Sequence, residues 1–487
     1  MHFKKQNKTV SILSLAVVFL ISCSTNDSLK QEKKLFNDIQ SKFEGFDLFK
    51  QSSKTIGHRL TGSKNGAQAE EMVYNKLLDY GLNVKYQEFQ TNAWSRDTVS
   101  IILISKKDSL KFNAVSLAYS PEYSNIESQL IDVGDGLVKD FDSVGVKLAG
   151  KIALVNLYPL NTSSNQEKNL HRTEKTSLAI DKGAIGLIFV NKPTGGVLLT
   201  GTASITGDVL PIPAICIDRE SGNLIRSKYL NKKNGFTVKI FTKNKVSSIK
   251  ARNVLATIPG KKKETIIIGG HLDSWDLSTG AIDNGIGAFA ILDIARAMAK
   301  LNFEPKYTVV FAFWMGEEQG LLGSTHFVNE LKTNGELEDV KLYINIDMSG
   351  NPKGFDIQGR KDLEKTILNF GSLIAKLDTT FANELASNIG LHSDHQPFIL
   401  EGIPALQPNG NLDKGVYKFY HSNSDNIKLV NEKHMKNTSV RMGLLLYQLA
   451  MSEELSFKRL NSEETKQFFV DAGLKEKMTI AGDWKWD

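Results

Sequence analysis

Residues 264–285 read ETIIIGGHLDSWDLSTGAIDNG. The opening run, TIIIGG, has the unbroken apolar character of a strand buried on both faces. His271 and Asp273 come directly after it, and Asp283 comes ten residues after Asp273, at the mouth of a glycine-rich turn. A helix is expected from Gly285 to Leu301, with apolar Ile286, Ala290, Ile291, Ile294 and Met298 at helical spacing. The rhythm then repeats. YTVVFAFW (307–314) reads as a second buried strand, 321–331 as a helix and KLYINID (341–347) as a third strand. Continuous apolar strands separated by helices predict an α/β fold whose sheet is covered on both faces. In such sheets, sites form beyond the carboxyl ends of the strands.

Working outward, residues 63–80 carry apolar positions at helical spacing (Ala69, Met72, Val73, Leu77, Leu78) closed by Gly81, and LNVKYQEF (82–89) reads as a strand. From 113 to 249 the texture changes. Short apolar runs alternate with Gly, Pro, Asn and Asp turns, which predicts a separate, mostly β inserted domain. Its one histidine, His171, has no second ligand candidate at metal-site spacing. The expected division is 35–112 plus 250–455 for the main domain, 113–249 for the insert and 456–487 for a charged, amphipathic tail in which no chemistry is legible.

The chain of 487 residues is too long for one ordinary core. Its 41% hydrophobic and 23% charged residues are globular values. Two cysteines exclude a disulfide scaffold and a Cys-rich zinc module, so a metal site must use His, Asp and Glu. Lys4, Lys5 and Lys8 precede an apolar run from Val10 to Ile21, which is short for a membrane span. The run ends Leu20-Ile21-Ser22-Cys23 and resembles the lipobox of bacterial lipoproteins. That resemblance implies a signal peptide over 1–22, lipidation of Cys23, a tether over 23–34 and an extracytoplasmic protein anchored to a bacterial membrane. Cys216, in the apolar run PIPAICI, reads as a small buried hydrophobe. The net charge of +6 falls to +3 without residues 1–22, which argues against a nucleic-acid partner.

The chemistry lies just past the strands. His271 and Asp273 come after the first, Glu317 and Glu318 after the second, and Asp347 ends the third; His421 sits far downstream in YKFYHSNSD. Gathered at one rim, these carboxylates would repel unless cations held them. Nitrogen and oxygen donors without thiolate suit zinc, with manganese or cobalt as other options. The set divides into two four-coordinate ions. One takes His271, Asp347 and a bridging Asp283; the other takes Glu318, His421 and the same Asp283, with a water between the ions. Asp273, on the same side of an extended segment as His271, is placed to accept the other ring N–H. Glu317, beside a ligand, is the natural general base.

In this order these residues resemble metallopeptidase family M28, over about residues 40–455. The wording of IGHRLTGSKN (56–65), GGHLDSWD (269–276), GAIDNGIGAF (280–289) and EEQG (317–320) is similar to the branch of that family that includes carboxypeptidase Q. The insert, with LAGKIALVNL, DKGAIGLIFVN and IPAICI, resembles the protease-associated (PA) domain. The resemblance implies two zinc ions, a cis peptide between Asp283 and Asn284, and a three-layer α/β/α sandwich with a mostly parallel mixed sheet. It also implies hydrolysis of a terminal peptide bond of small peptides, and it leaves a homodimer open. One departure stands out. Many family members place a Tyr just before the Ser-Asp-His segment, whereas SNIGLHSDHQPF (387–398) has none. His392 or His395 is the expected replacement as oxyanion donor. His326 is expected to pack rather than ligate, and His58 sits in a loop. Arg252 and Lys353 are the nearest cations in sequence for a substrate carboxylate. Two rival readings are a receptor-like binding protein without catalysis and a glutaminyl cyclase; the intact ligand set argues against the first and the large insert against the second.

Overall fold

A computed structural model describes residues 29–106, 109–159, 169–230 and 235–486. Among the described residues the larger sheet has ten strands, of which six form the frame around the site. They are β1 (Asn83–Ser105), β2 (Phe236–Ile258), β3 (Lys262–His271), β4 (Tyr307–Trp314), β5 (Val340–Asn345) and β6 (Ala405–Asn409). Their order is β6–β5–β3–β4–β2–β1. The first four are parallel, and β2 and β1 continue the sheet antiparallel. The expected mixed, mostly parallel centre is therefore present.

Seven helices matter here: α1 (29–42), α2 (Gly45–Thr55), α3 (Lys64–Asp79), α4 (Ile286–Lys300), α5 (Leu322–Thr333), α6 (Glu364–Leu377) and α7 (Glu432–Met451). Alternate residues of each strand serve opposite faces. Ile266 and Ile268 of β3 join the core with α4 and α7, while Ile267 joins Trp314, Tyr343 and Phe327 of α5 on the other side. This is the three-layer sandwich. Every residue of α4 from Ile286 to Met298 is buried, which is why its pattern is apolar nearly all round. Its two buried charges pair: Arg296 donates to Asp293 at 2.8 Å and to Asp38 of α1 at 2.7 Å.

The insert hangs on a two-stranded ribbon. β1 and β2 pair without interruption of direction from Asn83–Thr257 to Ser105–Phe236. The expected boundary at 249/250 thus falls inside β2. Composition changes there, but strand pairing does not. Beyond the ribbon lies a five-stranded sheet in the order Ala114–Ser116, Ala214–Ile217, Gly186–Val190, Ile152–Asn156 and Leu130–Gly134. The helices Val138–Val144, Arg172–Asp181 and Arg219–Ile225 accompany it.

One further expectation changes. The stretch read as a tether is helical from residue 29, and Glu32 is buried. The amphipathic tail packs on the main domain: Phe469, Met478 and Trp486 meet Ile399 and Ala405. Among the described residues no helix is long and apolar enough to cross a membrane. The signal peptide and Cys23 lie outside the described residues.

Candidate metal centre

The parallel strands deliver the site to one rim. His271 is the last residue of β3, Glu317 and Glu318 lie just past β4, and Asp347 lies two residues past β5. Asp283 sits in the turn between β3 and α4, preceding a cis Asp283–Asn284 peptide. The glycines of that turn are needed for close approach. A Cβ on Gly287, in the first turn of α4, would stand 2.3 Å from both Ile346 O and Asn284 Oδ1. His421 arrives on the loop after β6, with its backbone in the left-handed region at φ +54°.

The side chains meet around Asp283. Its Oδ1 is 3.1 Å from His271 Nε2, and its Oδ2 is 2.9 Å from His421 Nε2. His271 Nε2 also lies 3.4 Å from Asp347 Oδ1, and His421 Nε2 lies 2.8 Å from Glu318 Oε2. Glu317 Oε2 is 3.9 Å from His271 Nε2. All six side chains predicted from the sequence are therefore brought together. Ligand atoms of His271, Asp283 and Glu318 lie within 4.8 Å of one another, as do those of His271, Glu317 and Asp347. Glu318 Oε1 and Asp347 Oδ1 are buried without a hydrogen-bond partner, which fits residues that hold a cation.

The electrostatics point the same way. Burial works to raise Asp283, but hydrogen bonds from His271 and His421 outweigh it and hold this carboxyl below the usual range. Burial pushes Glu318 up to about 7 despite His421, and pushes Glu317 well above the usual value, helped by Asp347, Asp394 and Glu318. Burial works against charge on His271, yet Glu317 and Asp347 raise it well above the ordinary imidazole value. So many like charges in one buried space are stable only with shared protons or with cations.

Asp273 plays a different part from the one expected. His271 Nδ1 lies 3.2 Å from the backbone O of Asp273, closer than the 3.6 Å to its carboxylate. The carboxylate instead accepts from Thr61 Oγ1 at 3.0 Å and from the Glu317 N–H at 3.3 Å. It therefore ties the β3 loop to the loop that carries Glu317 and Glu318. His395 is corrected. Its Nε2 faces Gly390 O at 3.0 Å and its Nδ1 faces Gln407 Nε2 at 2.8 Å, and the ring is 1% exposed. With both nitrogens engaged it has no N–H for an oxyanion. His392 stays exposed on the same loop, with φ +69°. Arg252 is bound to Glu70 at 2.6 Å and stacks on Tyr86, so it is not a pocket cation, and Lys353 is exposed. His326 stacks on Phe89, as packing requires. The half-buried His58 accepts from the Leu60 N–H in its own loop.

Several contributors were not singled out from sequence. Ser393 Oγ donates to Asp347 Oδ2 at 2.7 Å. Asn284 Oδ1 accepts from Gly287 N and Met348 N at 3.1 Å each, and its Nδ2 donates to Ile346 O at 2.8 Å, pinning the turn to β5. Arg59 is fully buried and donates to the carbonyls of Leu272, Thr279 and Gly280, spanning the loop from His271 to Asp283. Each is an ordinary polar residue in sequence, and only its partners give it a role.

Residues 253–445 match the model of peptidase family M28, and residues 115–225 match the PA domain. Residues 253–445 therefore form a domain of peptidase family M28. The M28 match contains all six gathered side chains, and the PA match lies within the span enclosed by the ribbon. Leucine aminopeptidase 2 of Trichophyton tonsurans is 33% identical over 67% of this chain and 61% of its own length. The chain thus spans less than two thirds of that relative. Carboxypeptidase Q of Bos taurus is 26% identical over 82% of this chain and 84% of its own. The M28 fold is also that of a peptidase M28 precursor from Shewanella amazonensis (TM-score 0.75, 22% identity, 89% and 99% of the two chains). A zinc aminopeptidase from Bacillus subtilis shares it as well (TM-score 0.66, 22% identity, 86% and 98%).

Proposed function

We propose that this chain is a dizinc exopeptidase that hydrolyses the terminal peptide bond of small peptides. The observation that carries the reading is the two-sided environment of Asp283: one carboxylate oxygen faces His271, whose Nε2 also meets Asp347, and the other faces His421, whose Nε2 also meets Glu318. This is the arrangement of a carboxylate shared between two cations. His271, Asp347 and Asp283 would hold one ion, and Glu318, His421 and Asp283 the other. The donor set suits zinc, with manganese or cobalt as lesser fits. Bound zinc would supply Lewis acidity at the scissile carbonyl and acidify a water.

The chain's own residues do the rest. Asp283 fixes the spacing of the two halves. Asp273 keeps the Glu317 backbone in register with His271 through its carboxylate. Glu317 takes a proton from the attacking water at a carboxylate oxygen and returns it to the leaving amine. His392, on its exposed loop, is the remaining side-chain candidate for steadying the oxyanion. Whether the enzyme acts on amino or carboxyl termini divides its relatives, whose names include both activities; action on dipeptides satisfies both. We place the protein outside the cytoplasm, anchored through lipidated Cys23.

The test is Glu317→Gln. Two zinc ions should remain bound while turnover of a dipeptide panel falls about 10²- to 10⁴-fold. Wild-type turnover in this variant would remove Glu317 as the base. The same panel with blocked N- or C-termini reads the polarity.

A further inference from the structure

Five of the six gathered side chains lie at the end of a strand or in the turn into α4. His421 does not. It comes from the long loop between β6 and α7, and its backbone is left-handed without being glycine. Such a residue keeps its place only if tertiary contacts hold it. The rings beside it set its plane: Tyr420 stacks at 3.7 Å and Trp275 meets it edge-on at 6.1 Å. The backbone is held from elsewhere. Thr200 N–H donates to His421 O at 2.9 Å, and Asn423 N–H donates to Leu198 O at 3.1 Å. Asn423 Oδ1 accepts from Leu198 N at 3.1 Å, its Nδ2 donates to Gly196 O at 3.2 Å, and Leu199 and Ser422 form an antiparallel bridge. All of these partners, residues 196–200, belong to the insert.

This strap is itself anchored. Thr200 Oγ1 accepts from Arg96 Nη2 at 2.8 Å, and Arg96, on β1, also donates to Ser116 O and pairs with Asp276 at 2.7 Å. Asn191 Nδ2 donates to Val197 O at 3.0 Å, and Ala118 N donates to Gly201 O at 2.9 Å. The strap therefore joins the core of the insert, the ribbon and the loop between His271 and Asp283.

We infer that the PA insert is a structural part of one half of the metal centre: its 196–200 strap positions His421, so the ion held by Glu318 and His421 depends on the insert and the other ion does not. This rests on the dizinc reading. Asn423 is a positioning residue, and the readout is metal affinity as well as turnover. Zinc is titrated against a competing chelator on the full chain. The unaltered chain should bind two ions. Asn423→Ala removes both side-chain bonds to the strap. It should weaken one ion about tenfold, leave the other unchanged and leave the metal-free melting temperature close to that of the unaltered chain. Asn423→Asp keeps the acceptor for Leu198 N–H and should recover part of that affinity. Fewer than two ions on the unaltered chain would overturn the dizinc reading and this inference with it. Two ions there, both held as tightly by a folded Asn423→Ala, would overturn the inference alone. If the alanine variant does not fold, undiminished affinity of Asn423→Asp for both ions overturns it.

Discussion

Arg59 shows how a single residue can hold a site it does not enter. Its guanidinium is buried and donates to carbonyls rather than to a carboxylate: Leu272 O, Thr279 O and Gly280 O. Burial brings its pKa down to about 10, opposed by Asp425, Asp273, Asp283 and Glu318, so the group is charged at neutral pH. It is a fixed cation behind the acid cluster and a clamp on the 272–280 loop. Arg59→Met keeps the bulk but leaves three carbonyls, two of them buried, without their donor. It is expected to cost about 3–5 kcal/mol in urea unfolding, more than a surface arginine. A loss below about 1 kcal/mol would mean that the loop holds itself.

At the scale of elements, strands place most of the site and the C-terminal segment braces it. The helices Ser462–Asp471 and Lys475–Ala481 bring Phe469 and Met478 against Ile399 and Ala405. Gln396 then donates to Asp483 at 2.9 Å and accepts from the His392 N–H at 2.7 Å. Ser393, bound to Asp347, lies between them in sequence. The tail therefore supports the loop that orients one of the six gathered side chains, although the M28 match ends at residue 445. Phe469 is fully buried. Phe469→Ala should cost about 3–5 kcal/mol in chemical unfolding; an unchanged midpoint would show that the tail only rests on the surface.

For the whole molecule, buried acids set a pH response. Burial raises Asp394, Asp425 and Glu70 to about 7 each. A carboxyl whose folded pKa is raised contributes stability that is full below its unfolded value and is lost as pH rises through the folded value. The lowered histidines, His58, His171, His392 and His395, act oppositely, but chiefly below 6.5, where the unfolded imidazole takes up its proton. Lys175, lowered to about 8, acts above that pH. Between pH 6.5 and about 8 the acids therefore decide the sign. The metal-free protein should melt a few degrees lower at pH 8 than at pH 6.5. Added zinc should raise the melting point more at pH 8, because ligands must be deprotonated to bind. A metal-free melting point that climbs across this window would contradict the account.

Local pattern carried the part of the fold and the site that was legible in the sequence. Apolar runs in 264–270, 307–314 and 341–346 mark strands buried on both faces, because only such strands lack a polar alternation. Ligand-type residues just past their ends are then confined to one rim by the parallel arrangement. His271, Asp283, Glu317, Glu318 and Asp347 were readable for that reason. The tertiary structure alone decided the rest. Asp273 turns its carboxylate to Glu317 N–H and Thr61, His395 is consumed by Gly390 and Gln407, and β1 and β2 run on past the point where composition changes. His421 is the sharpest case. Its identity was visible in the chain, but no strand places it, and its position depends on hydrogen bonds to residues more than 200 positions away, which no local pattern can encode.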